Sequence, residues 1–287
     1  MRLALLGVGL IGGSFAAALR AAGAVQEVVG CDLDPGALAA ALRRGILTQT
    51  AGDVADAVRG ADLVVVATPV GATRAVFAAM AGSLSPEAII TDVGSTKSSV
   101  IEDARTALGP RFSHFVPAHP IAGSERTGVE HADASMFSGR LAVLTPTPGT
   151  DEQAVAAVES LWLAAGARTE RLSAETHDRI FAAVSHLPHL LAFALVEMIA
   201  GAADAQLKLA HAGAGFRDFT RIAASNPQLW RDVCLANRAH LARELHSYRA
   251  RLETLQRLLD AEDGVALEAV FARAAAMRRV SDEDASG

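Results

Sequence analysis

Gly7-Val8-Gly9-Leu10-Ile11-Gly12 follows a short, largely apolar run over residues 2–6 and leads into a helical pattern over 14–22. Strand, glycine turn and helix in that order are the context that a dinucleotide-binding fingerprint requires. Each glycine has a separate steric task. Gly7 makes the tight turn, Gly9 lets the backbone approach a pyrophosphate, and Gly12 allows close contact between helix and strand. Leu10 and Ile11 carry the loop into the helix, whose first N–H groups lack intrahelical partners and favour a phosphate.

Asp32 stands twenty residues beyond Gly12, just after the apolar run 28–31. A carboxylate there accepts hydrogen bonds from both hydroxyls of an adenosine ribose and repels a 2′-phosphate. Leu33 and Asp34 follow in place of an arginine, so NAD is the expected cofactor rather than NADP. Asp34-Pro35 reads as a helix N-cap and first-turn pair. Further apolar runs at 63–67, 88–92, 115–118 and 141–145 alternate with amphipathic stretches, the pattern of parallel strands joined by crossover helices. Leu63-Val64-Val65-Val66-Ala67 is apolar throughout, as a strand buried on both faces should be. The expectation is an α/β fold: an N-terminal, Rossmann-type, doubly wound sheet. Thr68-Pro69-Val70 closes one strand at its carboxyl edge, where loops line the ligand crevice; a plain strand-terminating turn is the other reading of these residues.

The chain has 287 residues, more than the roughly 100–200 of a typical domain, so two domains are expected. A net charge of −6 argues against a nucleic-acid partner, which would require clustered Lys and Arg. Cys31 and Cys234 are too few and too far apart for a disulfide framework or a zinc site, and they fit a reducing compartment. The opening run lacks the features of a signal peptide. No stretch reaches the roughly 20 uninterrupted apolar residues of a membrane span; the nearest, 181–203, is broken by His186, Pro188, His189 and Glu197. A cytoplasmic protein with no membrane partner is expected.

Residues 151–166 read as one more helix and 167–172 as a short strand. From Ser173 the texture changes to nearly continuous helical pattern, broken around 213–215 and at Asn226-Pro227. The expected division is 1–172 for the nucleotide-binding domain, 173–280 for an all-helical domain, and 281–287 as a frayed acidic tail. The long helical pattern over 229–259 suits packing against a twin in a homodimer, or equally an ordinary intramolecular bundle.

Four motifs remain: Asp92-Val93-Gly94-Ser95-Thr96-Lys97, His119-Pro120-Ile121-Ala122-Gly123-Ser124-Glu125, Ser185-His186-Leu187-Pro188-His189, and Phe216-Arg217-Asp218-Phe219-Thr220-Arg221-Ile222-Ala223. In this order and spacing they closely resemble the prephenate and arogenate dehydrogenase family, from the glycine turn to about Arg231-Asp232. The resemblance implies oxidative decarboxylation of prephenate to 4-hydroxyphenylpyruvate, the keto-acid precursor of tyrosine, with NAD accepting the hydride. It also implies an all-helical C-terminal dimerisation domain. Oxidation of a ring alcohol requires a group that accepts the hydroxyl proton, and a neutral imidazole suits that near pH 7. His119 matches the family's catalytic histidine, and Ser95 the serine that hydrogen-bonds it.

Prephenate is a dianion, and the planar N–H donors of arginine suit its carboxylates. Arg221 matches the family's carboxylate-holding arginine, and His189 a histidine near the pyruvyl side chain. His186, Arg217, Ser124 and Glu125 complete the candidate substrate contacts, and Gly94 joins Thr68, Pro69 and Val70 on the cofactor side. Arg217 has the less defined role, and Glu125 reads either as a bridge to an arginine or as an exposed loop carboxylate. His177-Asp178 either orders the pocket or is a solvated helix start; Trp230 reads as core. A zinc site using His186, His189 and His177 or Asp178 is a rival, but the dehydrogenase motifs explain these residues without a metal, so none is expected. Arogenate or dual, cyclohexadienyl specificity is the alternative activity. More remote are another hydroxyacid dehydrogenase and a non-catalytic NAD sensor. Tyrosine, if it inhibits, is expected to act at the active site.

Overall fold

Alternation along β1 (Arg2–Leu6) sets the frame. Leu3 and Leu5 join one hydrophobic core, Ala4 and Leu6 another, because successive side chains of a strand point to opposite faces. With both faces covered, the strand is apolar throughout its buried part. β1 lies in a parallel sheet with β2 (Glu27–Cys31), β3 (Gln49–Thr50), β4 (Leu63–Val66), β5 (Ile89–Asp92) and β6 (Phe115–Val116), in the order β3-β2-β1-β4-β5-β6. The order reverses between β1 and β4, and a crevice opens outside the carboxyl ends of strands at such a point.

A second sheet holds β7 (Ala118–Pro120), β8 (Leu141–Leu144) and β9 (Arg168–Arg171), with β7 antiparallel and β9 parallel to β8. The run 115–118, expected as one strand, is therefore divided between two sheets. Pro117 stands at the division, where its missing N–H cannot continue a ladder. The two-residue β3 was not expected either, since Gln49 and Thr50 are exposed and carry no apolar signal. The first core is anchored by Phe15 stacked on Trp162, with centroids 4.0 Å apart and Phe137 edge-on to both. Phe77 and Phe115 pack edge to face in the second.

The structure, a computed structural model, describes residues 1–123 and 126–286. Two compact units emerge, Met1–His240 and Leu241–Gly287, where the sequence suggested a division at 172/173. Residues after 173 are built onto the first sheet because Asp178 accepts hydrogen bonds from the backbone of Lys97 and Ser98, and Val233 enters the second core. The segment Ala174–Ala200 is one continuous helix, and by length and hydropathy alone it passes for a membrane span. It nevertheless carries buried His177, Asp178 and His186. Pro188 neither starts nor breaks it. A wider π turn over Ala182–His186 precedes the proline, and such a turn accommodates a residue that has no N–H and crowds the preceding carbonyls.

The pattern over 229–259 is likewise not one helix. Pro227–Ala236 and Arg238–Asp260 are separated at Asn237, whose backbone leaves the helical region while its side chain bonds to neighbouring groups. In the second unit the chain turns at residues 261–263, with Glu262 at φ +50°, and ends in the helix Gly264–Ser286. That helix covers most of the expected tail, with no glycine or proline before Gly287 to stop it.

Candidate active site

Register brings the cofactor motifs to one edge. Leu6 lies opposite Cys31 and Val66, and Val66 opposite Asp92, so Gly7, Asp32, Ala67 and Val93 emerge side by side. Gly7 has φ +93°, and a Cβ there would sit 2.6 Å from the carbonyl carbon of Ala67. A Cβ on Gly12 would meet the Ala67 methyl at 2.6 Å, so helix Leu10–Ala21 and β4 touch through this glycine. Nothing lies within 4 Å of a Cβ on Gly9. The space above the helix start is open, and the N-cap contributes no side-chain hydrogen bond to fill it. Asp32 accepts from the backbone N–H of Val8 at 2.6 Å and of Asp34 at 2.8 Å, which fixes its carboxylate beside the glycine turn.

A cavity of about 450 Å³ beside Asp32 is lined by Cys31, Leu33, Asp53, Val54, Ala55 and Ala79, among others. Open backbone over a helix N-terminus, a fixed carboxylate and an adjoining, largely apolar cavity fit the phosphates, ribose and base of an adenine dinucleotide. The Thr68 hydroxyl, buried next to the Gly7 turn, has no hydrogen-bond partner among the described residues. Pro69 is exposed, whereas the Val70 side chain turns into the second core and serves packing. Gly94 donates its N–H to Asp92 at 2.8 Å. Asp53, Val54 and Ala79 were missed by the sequence reading. Asp53 is visible there only as a helix N-cap, and Ala79 comes from a different helix.

The chemical end is built around His119 on β7, only 9% exposed. Its Nδ1 lies 2.8 Å from Nε2 of His177, and Nδ1 of His177 lies 2.9 Å from Oδ1 of Asp178. His119 also meets Phe181 edge to face, with centroids 4.9 Å apart. Burial above all, with His177, Lys97 and His186 adding to it, holds the His119 imidazole well below its usual value and keeps it neutral. Burial would raise the Asp178 carboxyl, but hydrogen bonds from His177, Ser98 and the backbone of Lys97 and Ser98 outweigh it and bring it down to about 2.

Lys97, unremarked in the sequence reading, is fully buried. It pairs with Asp92 and donates to the Ala118 carbonyl at 2.7 Å, while Asp92 accepts from the Ala118 N–H at 3.1 Å. Ala118 immediately precedes His119, so this clip fixes the catalytic candidate's backbone where the chain passes from one sheet to the other. The expected hydrogen bond from Ser95 to His119 is replaced: the partner of Nδ1 is His177. The backbone of Ser95 lies instead near His186, helping its ring against a burial that pushes it down to about 4.

His186 and His189 do not act as a pair. His186 is fully buried, its Nδ1 facing the Asn237 amide at 3.1 Å. His189 is half-buried, donates from Nδ1 to the Ser185 carbonyl at 3.0 Å and stacks on Trp230 with centroids 3.5 Å apart. Trp230, expected as core, packs against the second core and stacks on His189 as well. Burial lowers the His189 imidazole, and the nearby charge of Arg221 lowers it further. Arg217 is exposed and donates to the Ala212 carbonyl at 2.7 Å. Ser124 and Glu125 lie outside the described residues. Among the described residues no group of three or more His, Cys, Asp or Glu is placed to hold a metal ion.

Two family models match the chain: prephenate dehydrogenase, nucleotide-binding domain, over residues 15–171, and prephenate dehydrogenase, dimerization domain, over residues 173–273. The chain is 37% identical over 264 residues to the cyclohexadienyl dehydrogenase of Zymomonas mobilis, covering 91% of this chain and 89% of that one. The crystal structure of Aquifex aeolicus prephenate dehydrogenase in complex with hydroxyphenyl propionate and NAD+ superposes with a TM-score of 0.84 at 35% identity, covering 91% and 92% of the two chains. Synechocystis arogenate dehydrogenase superposes with a TM-score of 0.80 at 28% identity, covering 97% and 99%. The family models together span most of the sequence and the relatives cover about nine-tenths of it, so the chain belongs to the prephenate dehydrogenase family.

Proposed function

We propose that the chain oxidises and decarboxylates prephenate to 4-hydroxyphenylpyruvate with NAD, in the synthesis of tyrosine. The observation that carries this reading is His119, a buried neutral imidazole on β7 whose neighbour Ala118 is tied to Asp92, the last residue of β5 in the sheet that also presents the glycine turn and Asp32. Gly7, Gly9, Leu10, Ile11, Gly12, Asp32, Thr68 and the adjoining cavity hold the cofactor, which when bound accepts the hydride released from the ring carbon. Within the crevice, His119 takes the hydroxyl proton as that carbon is oxidised. Loss of the ring carboxylate as carbon dioxide then returns an electron pair to the ring. The aromatic product forms, and the proton goes back from His119 to its phenolic oxygen. Arg221 and His189 are assigned to the substrate's carboxylate and pyruvyl side, with Trp230 as the wall behind His189. Ser95 is assigned to the hydroxyl side of the same crevice.

Arogenate differs from prephenate by an amino group in place of the side-chain keto oxygen, and relatives named for arogenate and cyclohexadienyl substrates make it the second reading. Absorbance of NADH, with prephenate or arogenate supplied together with NAD or NADP, tests both. Faster turnover of prephenate with NAD is expected; a preference for arogenate would reassign the substrate, and silence with both would remove the activity. We further propose a cytoplasmic homodimer formed through the helical region, where Val184, Met198, Leu207, Phe219 and Leu235 expose apolar surface. Light scattering should give twice the chain mass of 29.7 kDa. Tyrosine, which resembles the product, is proposed to compete at this site.

A further inference from the structure

We propose that His177 and Asp178 form a hydrogen-bonded relay that holds His119 in the tautomer protonated at Nδ1, so that the Nε2 lone pair faces the substrate. The proposal rests on the assignment of His119 as the proton acceptor and adds two positioning residues to it.

Asp178 anchors the far end of the chain of bonds. A carboxylate only accepts hydrogen bonds. Asp178 accepts from the backbone N–H of Lys97 at 2.8 Å and of Ser98 at 2.9 Å, at the start of the helix Ser98–Leu108, which has no cap of its own. A helix N-terminus favours a negative charge, so the carboxylate is ionised and fixed. His177 must therefore present its Nδ1 proton to Asp178 across 2.9 Å. Burial holds the His177 ring below its usual value, hence neutral near pH 7, and a neutral imidazole has one proton only. Its Nε2 is then an acceptor.

The 2.8 Å contact between Nε2 of His177 and Nδ1 of His119 can be a hydrogen bond only if His119 supplies the proton. Nε2 of His119 is left with the lone pair, and among the described residues it has no partner. The opposite tautomer would put a donor where the alcohol proton has to go, and the ring could not act as a base. The relay moves no net proton. It sets which nitrogen is basic and stabilises the imidazolium that forms when the substrate O–H bond breaks and the Nε2–H bond forms. Two further contacts support a fixed ring: the edge-to-face packing of His119 on Phe181, and the Lys97 clip on Ala118.

Asp178 also caps a helix, so its replacement risks the fold, and the test is placed on His177. In His177→Gln the amide oxygen can still accept from His119; in His177→Leu nothing can. With prephenate and NAD, His177→Leu is expected to lose about 10²-fold in kcat, with both KM values within about threefold, and His177→Gln to recover most of that loss. Nitrogen-15 spectra of the His119 ring in the free wild-type enzyme should show the proton on Nδ1. A proton on Nε2 would overturn the relay. So would a His177→Leu enzyme that melts like the wild type and keeps its kcat. The ring spectrum needs no substrate, so a wrong substrate assignment would appear separately, as absent wild-type turnover with the Nδ1 proton in place.

Discussion

Lys97 and Asp92 form an ion pair with essentially no exposure to solvent, and both partners also bind the backbone of Ala118. Removing one member of such a pair leaves an uncompensated buried charge, at a cost of about 3–5 kcal/mol. Lys97→Met should therefore lower the melting temperature by roughly 10 °C, at about 2–4 °C per kcal/mol for a chain of this size. It should also depress turnover by loosening the strand that carries His119. A melting curve that superposes on the wild type would show that the clip does not matter.

The glycines of the cofactor turn should separate by experiment. Gly9 looks onto open space, so Gly9→Ala is expected to melt normally while the dissociation constant for NAD rises about tenfold or more, because its methyl occupies the pyrophosphate's place. Gly7 has φ +93° and faces backbone at 2.6 Å. Gly7→Ala should lose about 1–3 kcal/mol of stability as well as NAD binding. Calorimetry with NAD, paired with thermal melts, distinguishes the two.

Acid should unfold the protein early. His119, His177 and His186 all have imidazoles lowered by burial, His186 to about 4 from the usual 6.5. Below about pH 6.5 the unfolded chain takes up protons at these positions while the folded one does not, so stability falls as pH drops from 6.5 toward 4. His186 alone contributes about 3 kcal/mol to that fall. Asp178, lowered to about 2 from 3.8, withdraws its stabilisation only below pH 3.8. Denaturant melts at pH 7, 6 and 5 should show the midpoint decreasing; a flat profile would mean that the histidines are solvated.

Arg221→Gln should raise the KM for prephenate about 10- to 100-fold with little change in the dissociation constant for NAD, as loss of a charge-assisted contact to a carboxylate would. An unchanged KM would take Arg221 out of the pocket.

Much of this was legible in the chain. Gly7 and Gly12 are each read from a steric task, and the turn at φ +93° and the close approach of the helix to Ala67 follow it, while the space beside Gly9 is open. The strands at 2–6 and 63–66 announce themselves as buried through continuous apolar runs. What was hidden is non-local or contrary to type. Lysine is almost never fully buried unless paired, so Lys97 gives no signal until Asp92 is seen beside it. The bond from His119 to His177 spans 58 residues, and no local pattern announces it. Gln49 and Thr50 form a strand because β2 offers an edge, not because of their own propensity. The division of 115–118 between two sheets depends on the partners available to it, which periodicity does not contain.

The central claim is that Nε2 of His119 meets the ring oxygen of the substrate. A crystal structure of the chain with NAD and a hydroxyphenyl substrate analogue measures this separation directly. The expected value is about 2.6–3.2 Å, the reach of a proton transfer. An oxygen bound instead by another side chain, with the His119 ring out of contact, would contradict the account.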